Sequence, residues 1–443
     1  MSLDRRDFLI AGVAAGVGAA GLSQARPLAA QAPGPFHGPP IDRVRIGFVG
    51  VGGMGMVHVE NLLRIEGAEL AAICDIVPAK VAKASEVIVA AGKPAPRGFS
   101  QGPRDFERMC AEMELDLVYT ATPWEWHVPV CLAAMKNGKH AATEVPAAYT
   151  VDDCWALVEA AEKYEKHCVM MENCCYDRLE MLMLHLTRLG LLGELLHAEC
   201  GYLHDLREIK FSTEGEGLWR RAHAMARNGN LYPTHGLGPI AQCMDINRGN
   251  QFDYLVSMSS PARGLELYAR EHFPAGDPRR REKFKLGDVN VSLIRTKRGE
   301  TIYLGHNCDN PRPYSRALVL QGTRGIVEGW PGRVYIEGKS EKPHGWDPLE
   351  PWYERHEHPL WKSERVRAAT GGHGGMDFLE DLRLIECLRR GEPTDQNVYD
   401  AAAWSVITPL TERSVASRSR PVEVPDFTRG RWKTTPPLGI VGA

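Results

Sequence analysis

Two stretches of this chain gather side chains able to bind polar ligands and move protons. The first is Asn228-Gly229-Asn230-Leu231-Tyr232-Pro233-Thr234-His235-Gly236-Leu237-Gly238-Pro239, preceded by Arg220-Arg221. The second is Asp309-Asn310-Pro311-Arg312-Pro313-Tyr314-Ser315-Arg316. Both hold polar groups in a frame of glycine and proline, and His235 carries a ring that titrates near neutral pH. Other features look reactive but carry less. His356-Glu357-His358 lacks a clear third ligand and reads as a solvated loop beside Pro359. The glycines around His373 (Gly371-Gly372-His373-Gly374-Gly375) could bring that ring to a ligand or form a hinge before a helix over 376–389. Pro278–Lys285 (PRRREKFK) reads as a solvated basic loop. Eleven cysteines without a CxxC pair indicate neither a disulfide framework nor a zinc ribbon, and no metal is expected.

The elements that must position these residues begin with a nucleotide-binding pattern. The strand Val44–Val49 runs into Gly50-Val51-Gly52-Gly53-Met54-Gly55, which satisfies G-x-G-x-x-G, and then into a helical pattern. Its glycines serve a tight turn, close approach of a pyrophosphate and close helix–strand packing. A second strand, Glu69–Cys74, ends in Asp75, twenty residues after Gly55, where a carboxylate accepts from ribose hydroxyls and repels a 2′-phosphate. The cofactor expected is therefore NAD. Helices over 78–91 and 104–112, strand 115–121, helix 127–137, strand 139–143, helix 151–166 and strand 167–171 continue the alternation, which implies a parallel sheet. Ligands of such sheets sit at the carboxyl ends of the strands, so Trp124, His127, Glu144, Val145 and Asn173 face the crevice.

After Asn173 the strands 289–296, 300–306, 317–321, 325–328 and 333–337 suggest a mainly antiparallel sheet, with helices returning at 376–389 and 399–417. The fold class is α/β: a doubly wound Rossmann domain over 41–173 and an α+β domain with an open sheet over 174–443. With 53 Lys+Arg against 56 Asp+Glu the net charge is −3, which leaves no basic excess for nucleic acid. Arg5-Arg6-Asp7-Phe8-Leu9, the Ala/Gly/Val run to Leu22 and Ala29-Ala30-Gln31-Ala32 have the order of a twin-arginine signal over 1–32. Its partner would be the twin-arginine export machinery and its destination the periplasm or the medium. Pro33–Pro40 reads as a linker.

The glycine fingerprint, Cys74-Asp75, Thr122-Pro123 followed by His127, and Glu144-Val145-Pro146 resemble the glucose–fructose oxidoreductase/inositol dehydrogenase superfamily. Dehydrogenases of that superfamily carry Glu-Lys-Pro, with the lysine at the reacting hydroxyl; Val145 cannot do its work. Met171-Glu172-Asn173, N-x-N-L-Y-P-T-H and N-P-R-P-Y-S-R resemble glycoside hydrolase family 109, NAD-dependent glycosidases whose founding activity is α-N-acetylgalactosaminidase. The resemblance implies cofactor contacts at Met54, Gly55, Asp75, Trp124, Glu125, Trp126, His127, Glu144, Val145 and Asn173, beside Gly50 and Gly52 of the fingerprint. It implies contacts to a small carbohydrate or glycoconjugate substrate at Tyr202, Arg220, Tyr232, Pro233, Thr234, His235 and Tyr314. Sheets of that superfamily often join homo-oligomers, an expectation from resemblance alone.

The same resemblance implies oxidation of the sugar at C3, elimination of the C1 substituent after loss of the C2 proton, addition of water and re-reduction. His235 is then the general base, and Tyr314 its partner at C2, with a phenol pKa lowered by Arg312 or Arg316. Two other classes stay open: a net sugar dehydrogenase, which would accumulate NADH, and a non-catalytic sugar or nucleotide sensor.

Overall fold

A computed structural model describes Phe36, residues 38–363, Val366 and residues 372–439 of the 443-residue chain. The export signal, half of the linker (33–35 and 37) and Gly371 lie outside the described residues. Phe36, read as linker, is buried between the rings of His167 and Tyr399. No helix among the described residues is long and apolar enough to cross a membrane.

The first sheet contains β1 (Val44–Val49), β2 (Ala68–Cys74), β3 (Arg97–Phe99), β4 (Leu117–Thr120), β5 (His140–Thr143) and β6 (Cys168–Met170). All pairings are parallel and the order is β3-β2-β1-β4-β5-β6. Its central strands are buried except at Arg45 of β1, because crossover helices cover both faces. The strand order reverses beside β1, where Val49 pairs with Thr120 of β4. That reversal opens the crevice at the carboxyl ends of the strands. The helix expected from His127 begins earlier, at Trp124, because Pro123 accepts from Trp126 N and starts the turn.

The second sheet has nine strands: β7 (Leu195–Leu203), β8 (Phe252–Ser259), β9 (Asn290–Thr296), β10 (Thr301–Asn307), β11 (Val319–Gly322), β12 (Gly325–Gly329), β13 (Gly332–Ile336), β14 (Asp347–Pro348) and β15 (Val422–Glu423). Their order is β14-β13-β12-β11-β7-β10-β9-β8-β15, antiparallel except where β7 meets β10. β7 and β8 went unread in the sequence, although β7 is the middle of the sheet. Helices Thr234–Cys243 and Ile407–Ala416 pack on β7 and β8. Tyr254, Met258 and Leu293 of β8 and β9 are exposed.

The helix expected over 399–417 is two helices, Val398–Ser405 and Ile407–Ala416, parted at Val406. Pro409 has no N–H to give the Ser405 carbonyl, so the ladder cannot run on. The helix Met376–Arg390 crosses back to lie on the helix Gly53–Leu62 of the nucleotide half. His356-Glu357-His358 is not a solvated loop: Glu357 and His358 are buried. Glu357 pairs with Arg178, and His358 Nδ1 accepts from Leu360 N at the start of the short helix Pro359–Lys362. All eleven cysteines are buried and unpaired.

Candidate active site

The glycine turn is shaped for a dinucleotide. Gly50 adopts φ +87°, and a Cβ there would stand 2.8 Å from Ala121 O. A Cβ at Gly55 would fall on Gly50 O, so this glycine lets the helix press on the strand. Around Gly53 a Cβ would meet nothing within 4 Å, and Gly52 is nearly as open, which leaves the approach free for phosphates. Gly50, the pair Gly52 and Gly53, and Gly55 thus divide turn, approach and packing among them.

Two cavities that share Gly53, Met54, Ala121, Thr122, Glu216 and Trp219 flank this turn. The first, about 360 Å³, is walled by Gly50, Gly52, Asp75, Lys80, Phe106 and Trp126. Asp75 Oδ2 accepts from Val51 N (3.0 Å) and Oδ1 from Val77 N (2.9 Å), so the carboxylate is fixed as it faces the cavity. The second, about 490 Å³, lies at the ends of β4, β5 and β6 and reaches the second domain. Trp124, His127, Glu144, Val145, Asn173, Tyr202, Arg220, Tyr232 and His235 all line it.

His235 stands in the first turn of the helix Thr234–Cys243, with its Nδ1 2.7 Å from Glu172 Oε1. That helix can reach Glu172 because Gly236 lies against the backbone of β7: a Cβ there would collide with Gly201 N. Glu172 is wholly buried, Oε1 also accepting from Cys174 N and Oε2 without a hydrogen bond among the described residues. With Nδ1 bonded to the carboxylate, Nε2 is the ring nitrogen left for a ligand. Arg220 Nε donates to Glu216 (2.6 Å), and its guanidinium lies over Trp124, Trp219 and Tyr232. Arg221 turns away, to Glu282 and the ring of Phe211.

Several expected contacts are not at the cavities. Glu125 is exposed and lines neither, while Pro233 and Thr234 are buried and cap the helix that carries His235. His127 lines the second cavity but its ring is a strut, with its nitrogens 2.8 Å from Pro146 O and Thr122 O. Tyr314 stands beside His204 at a ring separation of 5.1 Å and does not line the second cavity. The expected drop in its pKa does not occur. Burial pushes the phenol well above its ordinary range, and the Arg316 bond to its oxygen (3.1 Å) offsets only part of this. Arg312 is spent on Pro313 O.

Four side chains that face the chemistry were missed or left undecided. His204 follows Tyr202 by two positions, and Tyr202 Oη lies 2.9 Å from its Nδ1. Burial, then Arg220, holds the His204 pKa below the ordinary value, so the ring is neutral. Glu172 adjoins Asn173 at a strand's carboxyl end, and topology alone would have marked it. His373 lines the cavity, with Nδ1 2.9 Å from Asp377 Oδ2, a bond that raises its pKa against the opposing effect of burial. Asp377 also accepts from Asn173 Nδ2 (2.6 Å). Glu172, Cys174 and His235 offer ligand atoms within 4.8 Å of one another, but a guanidinium nitrogen of Arg316 lies 3.5 Å from the sulfur. That cation opposes a metal ion, and the trio is better read as orienting His235.

Fold and crevice together define an NAD-binding enzyme of the Rossmann oxidoreductase type, with a second domain that closes one side of the reaction chamber. Residues 44–172 match the oxidoreductase family with NAD-binding Rossmann fold, and residues 176–434 match the C-terminal domain of glycosyl hydrolase 109. A glycosyl hydrolase family 109 protein of Shewanella putrefaciens is 46% identical over all of both chains. One from Solibacter usitatus is 48% identical over 98% of this chain and 99% of its own. Among solved structures, levoglucosan dehydrogenase in complex with NADH and L-sorbose aligns with TM-score 0.68 at 18% identity, covering 87% of this chain and all of its own. An Azotobacter vinelandii inositol dehydrogenase homolog with NADH and myo-inositol gives 0.64 at 17%, over 87% and 98%. The chain belongs to glycosyl hydrolase family 109, and its cofactor is NAD.

Proposed function

We propose that this protein is a glycosidase acting on terminal N-acetylgalactosaminides through a closed redox cycle on the sugar ring. The observation that carries the reading is a chamber at the cofactor crevice lined by four histidines and, among the described residues, by no lysine. A net dehydrogenase of this superfamily would place its lysine where Val145 stands.

Bound NAD supplies reversible hydride transfer at one sugar carbon. His235 Nε2, the ring nitrogen not bonded to Glu172, takes the proton of the C3 hydroxyl as that carbon is oxidised. The ketone acidifies the C2 proton. Tyr202 removes it while passing its phenolic proton to neutral His204, so no free phenolate is needed. His373, held protonated by Asp377, donates to the departing C1 oxygen. Water then adds at C1 and gives a proton to His373, the C2 proton returns from Tyr202 as His204 gives the phenol its proton back, and His235 gives back its proton as C3 is reduced. Arg220 and Tyr232 hold the ring against Trp124. Tyr314, which does not line the cavity, contacts the aglycone beyond it and, with its raised pKa, keeps its phenolic proton.

The test uses aryl N-acetylgalactosaminides in deuterated water. Aglycone release with deuterium at C2 and no NADH build-up is expected. NADH accumulating with substrate would replace this reading by a sugar dehydrogenase, the activity named for its structural relatives. Absence of turnover across a broad glycoside panel would leave a sensor. We infer export by the twin-arginine route from Arg5 and Arg6; replacing both by lysine should retain the protein in the cytoplasm, and unchanged export would refute this.

A further inference from the structure

The buried acids beneath the crevice outnumber their cations. His58, wholly buried on the helix Gly53–Leu62, has Nε2 2.8 Å from Glu144 Oε1 and Nδ1 2.9 Å from Asp381 Oδ2. Both nitrogens face carboxylates, so both carry protons. Burial works against that charge, but Asp381 and Glu144 prevail and raise the imidazole pKa. Tyr119 Oη and Asn61 Nδ2 donate to Asp381 at 3.2 and 3.0 Å. The other oxygen of Glu144 accepts from Val145 N (3.1 Å). One imidazolium therefore serves two carboxylates. Burial raises the Asp381 pKa, and the bonds from His58 and Asn61 oppose that rise. Glu144, which lines the second cavity, is held below its ordinary value against burial by His58.

Among the described residues no second cation bonds Glu144 or Asp381. On the same helix as Asp381, Asp377 is matched by His373. Glu380 has no hydrogen bond to either oxygen among the described residues, and burial keeps it a neutral acid. Arg64 donates to Asn61 Oδ1 (3.4 Å), one contact beyond Asp381, and lines neither cavity. Position 145 supplies no ammonium.

Asp75 marks the first cavity as the adenosine end, so the second receives the nicotinamide. That ring is cationic when oxidised and neutral once a hydride, one proton with two electrons, has moved to it from a substrate C–H bond. We propose that the His58–Glu144–Asp381 cluster, with one carboxylate in excess, holds the bound cofactor in its oxidised form and so sets the redox poise of the site. Glu144 acts at the cavity; His58 and Asp381 are positioning residues that keep it charged and in place. Under the glycosidase reading each turnover starts from the oxidised form, and a cofactor left reduced by early release of the keto sugar would stop the cycle. The inference needs only NAD binding, and its test uses no glycoside, so it can fail separately from that reading.

The experiment is a redox titration of the holoenzyme against a mediator dye, read by the 340 nm absorbance of bound NADH. Asp381→Asn should raise the reduced-to-oxidised ratio at fixed potential about tenfold, a shift of about 30 mV for two electrons. Glu380→Gln, which replaces a neutral group by a neutral group, should leave the ratio unchanged. If circular dichroism shows that Asp381→Asn does not fold, Glu144→Gln is read instead and should raise the ratio at least as much. An unchanged ratio in the variant read, or a rise in Glu380→Gln equal to it, would overturn the proposal.

Discussion

Two histidines meet the reaction chamber through the same bond, a ring Nδ1 held by a buried carboxylate, yet their settings differ. His235 rises from a helix pressed backbone to backbone on β7, and Glu172 behind it is sealed from solvent. His373 sits in a glycine turn, its side chain 53% exposed, on Asp377 at the head of another helix. A base that must accept and return one proton at a fixed carbon gains from a rigid mount. An acid that serves leaving groups of varied size gains from a mobile one. The difference teaches that the carboxylate fixes the ring's orientation while the backbone sets how far the ring can follow a substrate.

The contrast can be broken most severely at His235. His235→Ala should lower kcat by ~10³-fold, in the range of lost general-base catalysis, while bound NAD stays at wild-type stoichiometry. Full activity would end the assignment. Next comes the mount: Gly236→Ala drives a methyl into the backbone of β7 and should cost about 3 kcal/mol in urea unfolding.

The third effect is a shift in pH. Asp377 raises the His373 pKa, so the acid keeps its proton above its ordinary value of about 6.5 and is lost only as pH climbs past the raised one. Asp377→Asn should therefore move the basic limb of the kcat profile to lower pH, with a several-fold loss at pH 8 and little at pH 5.5. A limb that stays put would show that His373 is not the acid. Smallest of all, Tyr314→Phe should raise KM a few-fold and leave kcat within about threefold, because a phenol with a raised pKa that makes one neutral contact contributes about 1 kcal/mol. A hundredfold fall in kcat would return it to proton transfer.

Much of the fold was legible because its signals are local. The glycine turn, the β1–β2 spacing to Asp75 and the alternation of buried strands with helices each need only neighbouring residues. β7 was not, since its central place comes from pairing with β10 and β11, both about a hundred residues on. The break at Val406 could have been read from Pro409, but the apolar pattern on either side reads as one helix.

The site divides in the same way. Sequence by itself determined which residue types gather near the cofactor, down to Val145 in place of a lysine, because strand ends and glycine turns place them by topology. Only the tertiary structure decided their chemistry. Glu172 and Asp377 gain their histidines, Tyr314 its raised pKa and His58 its two carboxylates from groups between 4 and 323 residues apart in the chain. A protonation state depends on what burial removes and what a neighbour supplies, and both are set by packing.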